Sequence, residues 1–265
     1  DWALPMEVRW SLICAIVAIG GFLLALPKQM KKIQWNFQAT LLLVFGFLLL
    51  MSTLTAVDRG VAQSAFIEYA KILVMVSLAA VVIRALWQIN LLVTVIVGLL
   101  GYLAWEVNAA YFFNDRLLLA RSGFMNMDNN GGGLILIMGL PLAYAAAFTR
   151  ESKTVRILCA IIAVLLLHAL MLSFSRGGML AGTVGLVWLL WHHRPRMQAG
   201  VLAIGAVLAI GVLAGSEVQE RFFSIEDYEE DQSAVTRLEA WDAAWQLAWD
   251  NPMLGVGLRN SNLLG

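Results

Sequence analysis

Apolar runs of about 20 residues, nearly free of charge, recur along this chain. A helix rises 1.5 Å per residue, so a run of about 20 crosses the ~30 Å hydrocarbon core of a bilayer. Eight stretches fit: 10–26, 39–56, 66–83, 89–107, 131–148, 157–173, 177–191 and 199–215. The third is the weakest, because Glu68 and Lys71 sit near its start. Three apart on one helical face, those two can pair. The fold class read from these runs is all-α: a polytopic transmembrane helix bundle of about eight spans, with a long outward loop carrying an amphipathic helix. Composition agrees, since 60% of the 265 residues are hydrophobic and 14% are charged. A soluble domain of that length needs a far more charged surface. The formal net charge is zero, so nothing basic invites nucleic acid. Cys14 and Cys159 lie inside apolar runs and fit neither a disulfide framework nor a zinc site. With no initiator Met or signal-peptide pattern at its start, and an abrupt end at RNSNLLG, the chain reads as a fragment open at both ends. The division read along it is an N-terminal membrane region over 1–150, of about five spans, and a second membrane domain over 151–265 with an outward loop at 216–265.

Loop charges orient the spans. The stretch 27–32 holds three lysines, 149–156 three basic residues and 192–196 two arginines, while Arg84 stands between the third and fourth spans. Alternation over eight spans puts all four loops on one side. Basic residues in short loops mark the cytoplasm. The loops 1–9, 57–65, 108–130, 174–176 and 216–265 then face outward and hold nearly all the acids. No period of 20–50 residues repeats.

The stretch LSFSRGGMLAG (172–182) lies between two apolar runs, on the outward side. Ser175 can cap the seventh span, and Gly177 and Gly178 leave its first turn bare. A bare helix N-terminus presents unsatisfied N–H groups and a partial positive charge. Arg176 beside it makes a place for a phosphate, because guanidinium and N–H groups bind the same oxyanion. The plainer reading is an arginine reaching to lipid headgroups. On the outer face of a membrane, a polyprenyl diphosphate is the ligand that suits the first reading.

The tail segment TRLEAWDAAWQLAWDNP (236–252) reads as an amphipathic helix. Thr236 and Glu239 form a capping-box pattern, and Asn251-Pro252 ends the helix. Glu239, Asp242, Gln246 and Asp250 share a face, with Leu238, Trp241, Trp245, Ala248 and Trp249 broadly on the other. Three tryptophans suit the headgroup layer. Arg237 then takes the first helical position, where the dipole disfavours a cation unless an anion joins it. An ordinary surface arginine is the alternative. Asp128, Asn129 and Asn130 precede the fifth span and three glycines. Capping and turn chemistry explains them, or they form a polar rim for a sugar or acceptor. Arg116 and Arg121 suit headgroup contact. His168, inside the sixth span, reads as a hydrogen-bonded bundle histidine rather than a functional one. His192 and His193 belong to a basic loop. The chain has no P-loop, no Gly-x-Ser-x-Gly elbow, no His-Glu-x-x-His and no cluster of metal ligands, so the sequence calls for no metal and no cofactor.

SFSRGG at the outer end of a span, a long outer loop, then RLEAWDAAW (237–245) and NPMLGVGL (251–258) resemble the O-antigen ligase and polymerase superfamily, over about 160–265. The stretch MDNNGGGLILIMGLPLAY (127–144) is similar to the O-glycosylation ligases of exosortase systems. The resemblance implies a polytopic enzyme of the bacterial inner membrane. Such an enzyme takes a glycan from undecaprenyl diphosphate in the periplasm and gives it to a lipid or protein acceptor, or to another glycan. It implies that Arg176 and Arg237 engage the diphosphate. Ser175, Gly177, Trp241, Asp128, Asn129 and Asn130 are the candidate substrate contacts. For both arginines to serve one diphosphate, the tail would fold back over the bundle. A family histidine that assists the acceptor is matched by none of the three histidines here, so the general base is unassigned. A polysaccharide transporter is the rival reading, but it expects midplane charges and matched broken helices, and these spans carry few of the former and no repeat. A non-catalytic membrane scaffold is a third.

Overall fold

The computed structural model describes residues 10–29, 37–114, 117, 128–193 and 232–261. The described residues form eight α-helices and no strand: α1 (Trp10–Gln29), α2 (Phe37–Leu54), α3 (Arg59–Val82), α4 (Leu86–Asn114), α5 (Asn129–Thr149), α6 (Lys153–Met171), α7 (Arg176–His192) and α8 (Gln232–Asp250). Each of α2 to α6 is long and apolar enough to cross a membrane. α7 continues the apolar pattern over 17 residues. The eighth expected span, 199–215, lies outside the described residues, as do Arg116 and Arg121.

Most boundaries shift by a few residues from the sequence reading, and three of the shifts bear on the argument. The outward loop expected at 57–65 shrinks to 55–58, because Asp58 caps α3 by accepting from the N–H groups of Gly60 (2.8 Å) and Val61 (3.1 Å). Glu68 therefore lies well inside α3, and its partner is Arg259 at 2.8 Å rather than Lys71 one turn on. α4 runs on to Asn114, past the expected end at 107. α8 starts at Gln232, a full turn before Thr236. The segment 232–235 has neither Gly nor Pro, and Thr is tolerated inside a helix, so the capping-box pattern stops nothing.

The chain packs as two compact units, Asp1–Gln88 with Asp231–Gly265, and Ile89–Glu230. In the first, α3 packs along α2 and touches α1. The segment after α8 is seated on the turn between α2 and α3. Ser52 Oγ donates to the Leu254 carbonyl (2.8 Å), and the Val57 N–H to the Val256 carbonyl (3.1 Å). Asn260, fully buried, accepts from the Asp58 N–H (2.6 Å) and donates to the carbonyls of Asp58 (3.2 Å) and Leu258 (2.9 Å). Gly257, at φ 103°, lies so close to Ala56 that a Cβ would overlap it.

In the second unit, small residues let α4, α5, α6 and α7 approach closely, as helices in lipid require. A Cβ on Gly139 would meet Leu100 Cδ1 at 2.6 Å, and one on Gly182 would meet Leu170 Cδ2 at 2.5 Å. Leu136, Leu166, Leu170 and Met179 fill the core. The helix ends sort as an alternating bundle demands. At one end, Arg150 donates to the Asn90 carbonyl (3.0 Å) and Thr94 Oγ1 (2.9 Å), Arg156 Nε to the Ala147 carbonyl (3.0 Å), and the Tyr144 hydroxyl meets His193 Nδ1 (2.7 Å). The starts of α4 and α6 and the ends of α5 and α7 thus gather there. The starts of α5 and α7 gather at the other end, with the end of α6.

Candidate functional site

The site grows from the turn between α6 and α7. α6 ends at Met171, and Leu172 to Ser175 turn the chain back. Phe174 makes the turn with φ 54°, a left-handed conformation that bulky residues rarely hold. Ser173, fully buried, braces it: its hydroxyl donates to the Leu170 carbonyl (2.7 Å) and accepts from the Ser175 N–H (3.2 Å). Ser175 caps α7 as its position suggested, accepting from the Gly178 N–H at 3.2 Å. Its own hydroxyl proton goes to Asn130 Oδ1 at 2.7 Å.

That last bond joins two helix starts. Asp128 caps α5, accepting from the Gly131 N–H at 2.7 Å, so the capping reading of this residue describes its contact. Asn130 does something the sequence did not suggest, since it ties the first turn of α5 to the cap of α7. Asn129 is half-buried. Gly133 permits the approach, because a Cβ there would lie 3.3 Å from both Ser173 Oγ and Ser175 Cβ. Two helix N-termini therefore stand side by side, and their partial positive charges add. Arg176 begins α7 at the same place. It is half-buried overall, with its Nε enclosed. Gly177 is exposed, and no heavy atom lies within 4 Å of where its Cβ would stand. The first turn of α7 is open on that side and crowded on the Gly178 side, where a Cβ would meet Leu170 and Ser175.

Below this turn a buried polar pair links α4 to α6. Asn108 donates both amide protons, to the carbonyls of Ala104 (2.6 Å) and Leu165 (3.0 Å). Its Oδ1 must then accept, so His168 Nδ1 carries the proton of their short mutual bond. Phe112 stacks on the imidazole at 5.3 Å. His168 is thus held by hydrogen bonds within the bundle, as read from the sequence. The sequence reading missed Asn108 and Ser173. Asn108 was counted as the first residue of the outward loop 108–130, where an asparagine is unremarkable, and only the extension of α4 to Asn114 places it inside a span. Ser173 carries no signal either, since a serine beside a helix end is commonplace.

Arg237 and Trp241 belong to α8, in the other unit, and both are exposed. Arg237 is not at the first helical position but more than a turn inside, where the dipole effect has faded. The argument that an anion must join it there does not hold. The two faces of α8 also differ from expectation. At 100° per residue, the stripe Leu238, Trp241, Trp245 and Trp249 is only about 100° from the polar stripe of Glu239, Asp242, Gln246 and Asp250. The sheltered residues are Ala243 and Leu247, nearly opposite the tryptophans. Among the described residues, no three His, Cys, Asp or Glu side chains are grouped to hold a metal.

The fold is that of a polytopic helical membrane protein in which two helix starts, flanked by Arg176, meet at one end of the second unit's bundle. Residues 161–264 match the family model described as O-antigen ligase. That match covers less than half of the chain's length. No curated protein and no solved structure matches it.

Proposed function

We propose that this chain is part of a glycan ligase that moves an oligosaccharide from undecaprenyl diphosphate to a lipid or protein acceptor. The reaction is metal-independent, inverts the sugar, and takes place on the periplasmic face of a bacterial inner membrane. The observation that supports this most is the meeting of the α5 and α7 N-termini at the Ser175–Asn130 bond, with Arg176 beside it. The basic end of the second unit is the cytoplasmic one by the positive-inside rule, which turns this corner outward. The catalytic part is taken as 151–265, and 1–150 as an N-terminal membrane region.

The acceptor hydroxyl attacks the anomeric carbon from the side opposite the leaving group. The bond from that carbon to the diphosphate breaks, its electron pair leaves with the diphosphate oxygen, and the acceptor hydroxyl's proton passes to water. Arg176 and the Gly177 N–H in the first turn of α7 stabilise the growing charge. Such a preorganised donor is worth about 3 kcal/mol of barrier. Arg237 is assigned a phosphate contact through the family resemblance, and Trp241, Asp128 and Asn129 are taken as substrate contacts. The likeness of 127–144 to O-glycosylation ligases favours a ligase over a polymerase, whose acceptor is another glycan.

The test is Arg176→Lys in the full-length protein. Lysine keeps the charge and the reach to headgroups, but loses the forked hydrogen bonds. Transfer of a labelled glycan from its undecaprenyl diphosphate carrier, in washed membranes without added metal, should fall on the order of 10²-fold. Membrane abundance should stay normal, and Arg237→Lys should behave alike. Full activity of Arg176→Lys would return that arginine to the role of a lipid anchor.

A further inference from the structure

The tryptophan stripe of α8 is left bare by the protein around it. Trp241, Trp245 and Trp249 are 68%, 66% and 69% exposed, and Leu238 is 53% exposed. Trp245 and Trp249 touch each other edge-on at 5.8 Å. Four large apolar side chains in one narrow stripe, over three turns, make a patch that a water-facing helix does not keep. The stripe points away from the sheltered Ala243 and Leu247, so the first unit itself does not cover it.

The way the chain leaves α8 says what does. Four residues past Asp250, the Leu254 carbonyl is held by Ser52, in the last turn of α2. Val256 and Asn260 then hold Val57 and Asp58 in the turn before α3. α2 has 18 residues and is about 27 Å long, so the 55–58 turn sits at the edge of the hydrocarbon core. Four residues span at most ~14 Å, and the Gly255 N–H to Asn251 carbonyl bond shortens that path further. The end of α8 is therefore tied to the membrane surface. A helix of 19 residues fixed there at one end either lies along the surface or stands up from it. Standing up would leave Leu238 and Trp241 in water, roughly 12–17 Å beyond Trp249. Lying down puts the whole stripe at one depth, in the layer where tryptophan rings are most favourable.

We infer that α8 is an interfacial helix: it lies along the bilayer surface beside the α2–α3 turn, with Leu238, Trp241, Trp245 and Trp249 in the lipid headgroup layer. Asp242 and Gln246, on the flank of the stripe, stay at the water edge, and Glu239 and Asp250 face water. The Leu254–Asn260 clamp on 52–58 sets the helix at that height. This holds whether or not the protein transfers a glycan, and its failure would leave that reading untouched.

The full chain, with Cys14 and Cys159 replaced, is reconstituted into vesicles of phosphatidylethanolamine and phosphatidylglycerol. Single variants Trp241→Cys, Trp245→Cys, Trp249→Cys, Glu239→Cys and Asp250→Cys carry a nitroxide label. Collision rates are measured with oxygen, which concentrates in lipid, and with a water-soluble nickel chelate. The three tryptophan positions should give oxygen-to-nickel ratios several-fold above those at 239 and 250, and close to one another. Ratios at 241 and 245 matching those at 239 would overturn the inference in favour of an upright or water-facing helix. Protection of the stripe from both agents would overturn it in favour of packing on protein. Disrupting the clamp with Asn260→Ala should lower the ratios at all three positions, and unchanged ratios would sink the claim that the clamp sets the depth.

Discussion

Replacing Gly177 by alanine separates a phosphate-binding first turn from an ordinary one. Gly177 is the second residue of α7, is exposed, and has no atom within 4 Å of a new Cβ. Packing therefore gives no reason for glycine. Alanine is about 1 kcal/mol better than glycine inside a helix, and somewhat less near an end, so Gly177→Ala should stabilise the protein by roughly 0.5–1 kcal/mol. Gly182→Ala is the control: its Cβ would stand 2.5 Å from Leu170 Cδ2, and overpacking of this kind costs about 1–3 kcal/mol. If the diphosphate rests against the N–H groups of this turn, added carbon at 177 crowds it. Activity should then fall as stability rises. Gly177→Val, with two further methyl groups, should lose on the order of 10²-fold in transfer, comparable to removing one oxyanion donor. Unfolding in mixed micelles by increasing denaturing detergent reads the stability, and the washed-membrane transfer assay reads the chemistry. A Gly177→Val enzyme that transfers glycan at the parental rate would refute a phosphate at this turn. A Gly177→Ala protein less stable than its parent would refute the steric reasoning.

Other outcomes follow from the same contacts. Asn260→Ala leaves the Asp58 N–H without its side-chain acceptor and should cost about 1–3 kcal/mol. It should also speed proteolysis within 251–261, and Gly257→Ala, which drives a Cβ into Ala56, should do the same. Asn108→Leu or His168→Phe alone should each destabilise the bundle by about 1–3 kcal/mol, by stranding a buried polar partner. The double variant should cost less than the sum, and strict additivity in detergent unfolding would show that the pair is not coupled. Lys153→Cys and Ile225→Cys, in a cysteine-free chain, test orientation. Only the cysteine at 225 should react with an impermeant thiol reagent in cells whose outer membrane is opened, and equal labelling would overturn the assigned sidedness.

What the sequence alone determined is what local physics can encode. Runs of apolar residues at membrane length fixed the helices α2 to α6, because a bilayer leaves a chain no other way to satisfy its backbone. Caps were legible where a side chain serves its own turn, as Ser175 and Asp128 do. The capping-box pattern at Thr236 misled, because the same residues sit comfortably inside a helix that starts earlier. The tertiary structure alone decided the pairings: Asn130 with Ser175, Asn108 with His168, and the tail on 52–58, which join residues 45, 60 and 202 positions apart. Helices apolar on every side carry no stripe that names their neighbours, since lipid and protein are equally good solvents for leucine. Which faces meet is settled by where small residues permit approach and where a buried polar group finds its partner. Both depend on the whole packed bundle, and neither is written in any one segment.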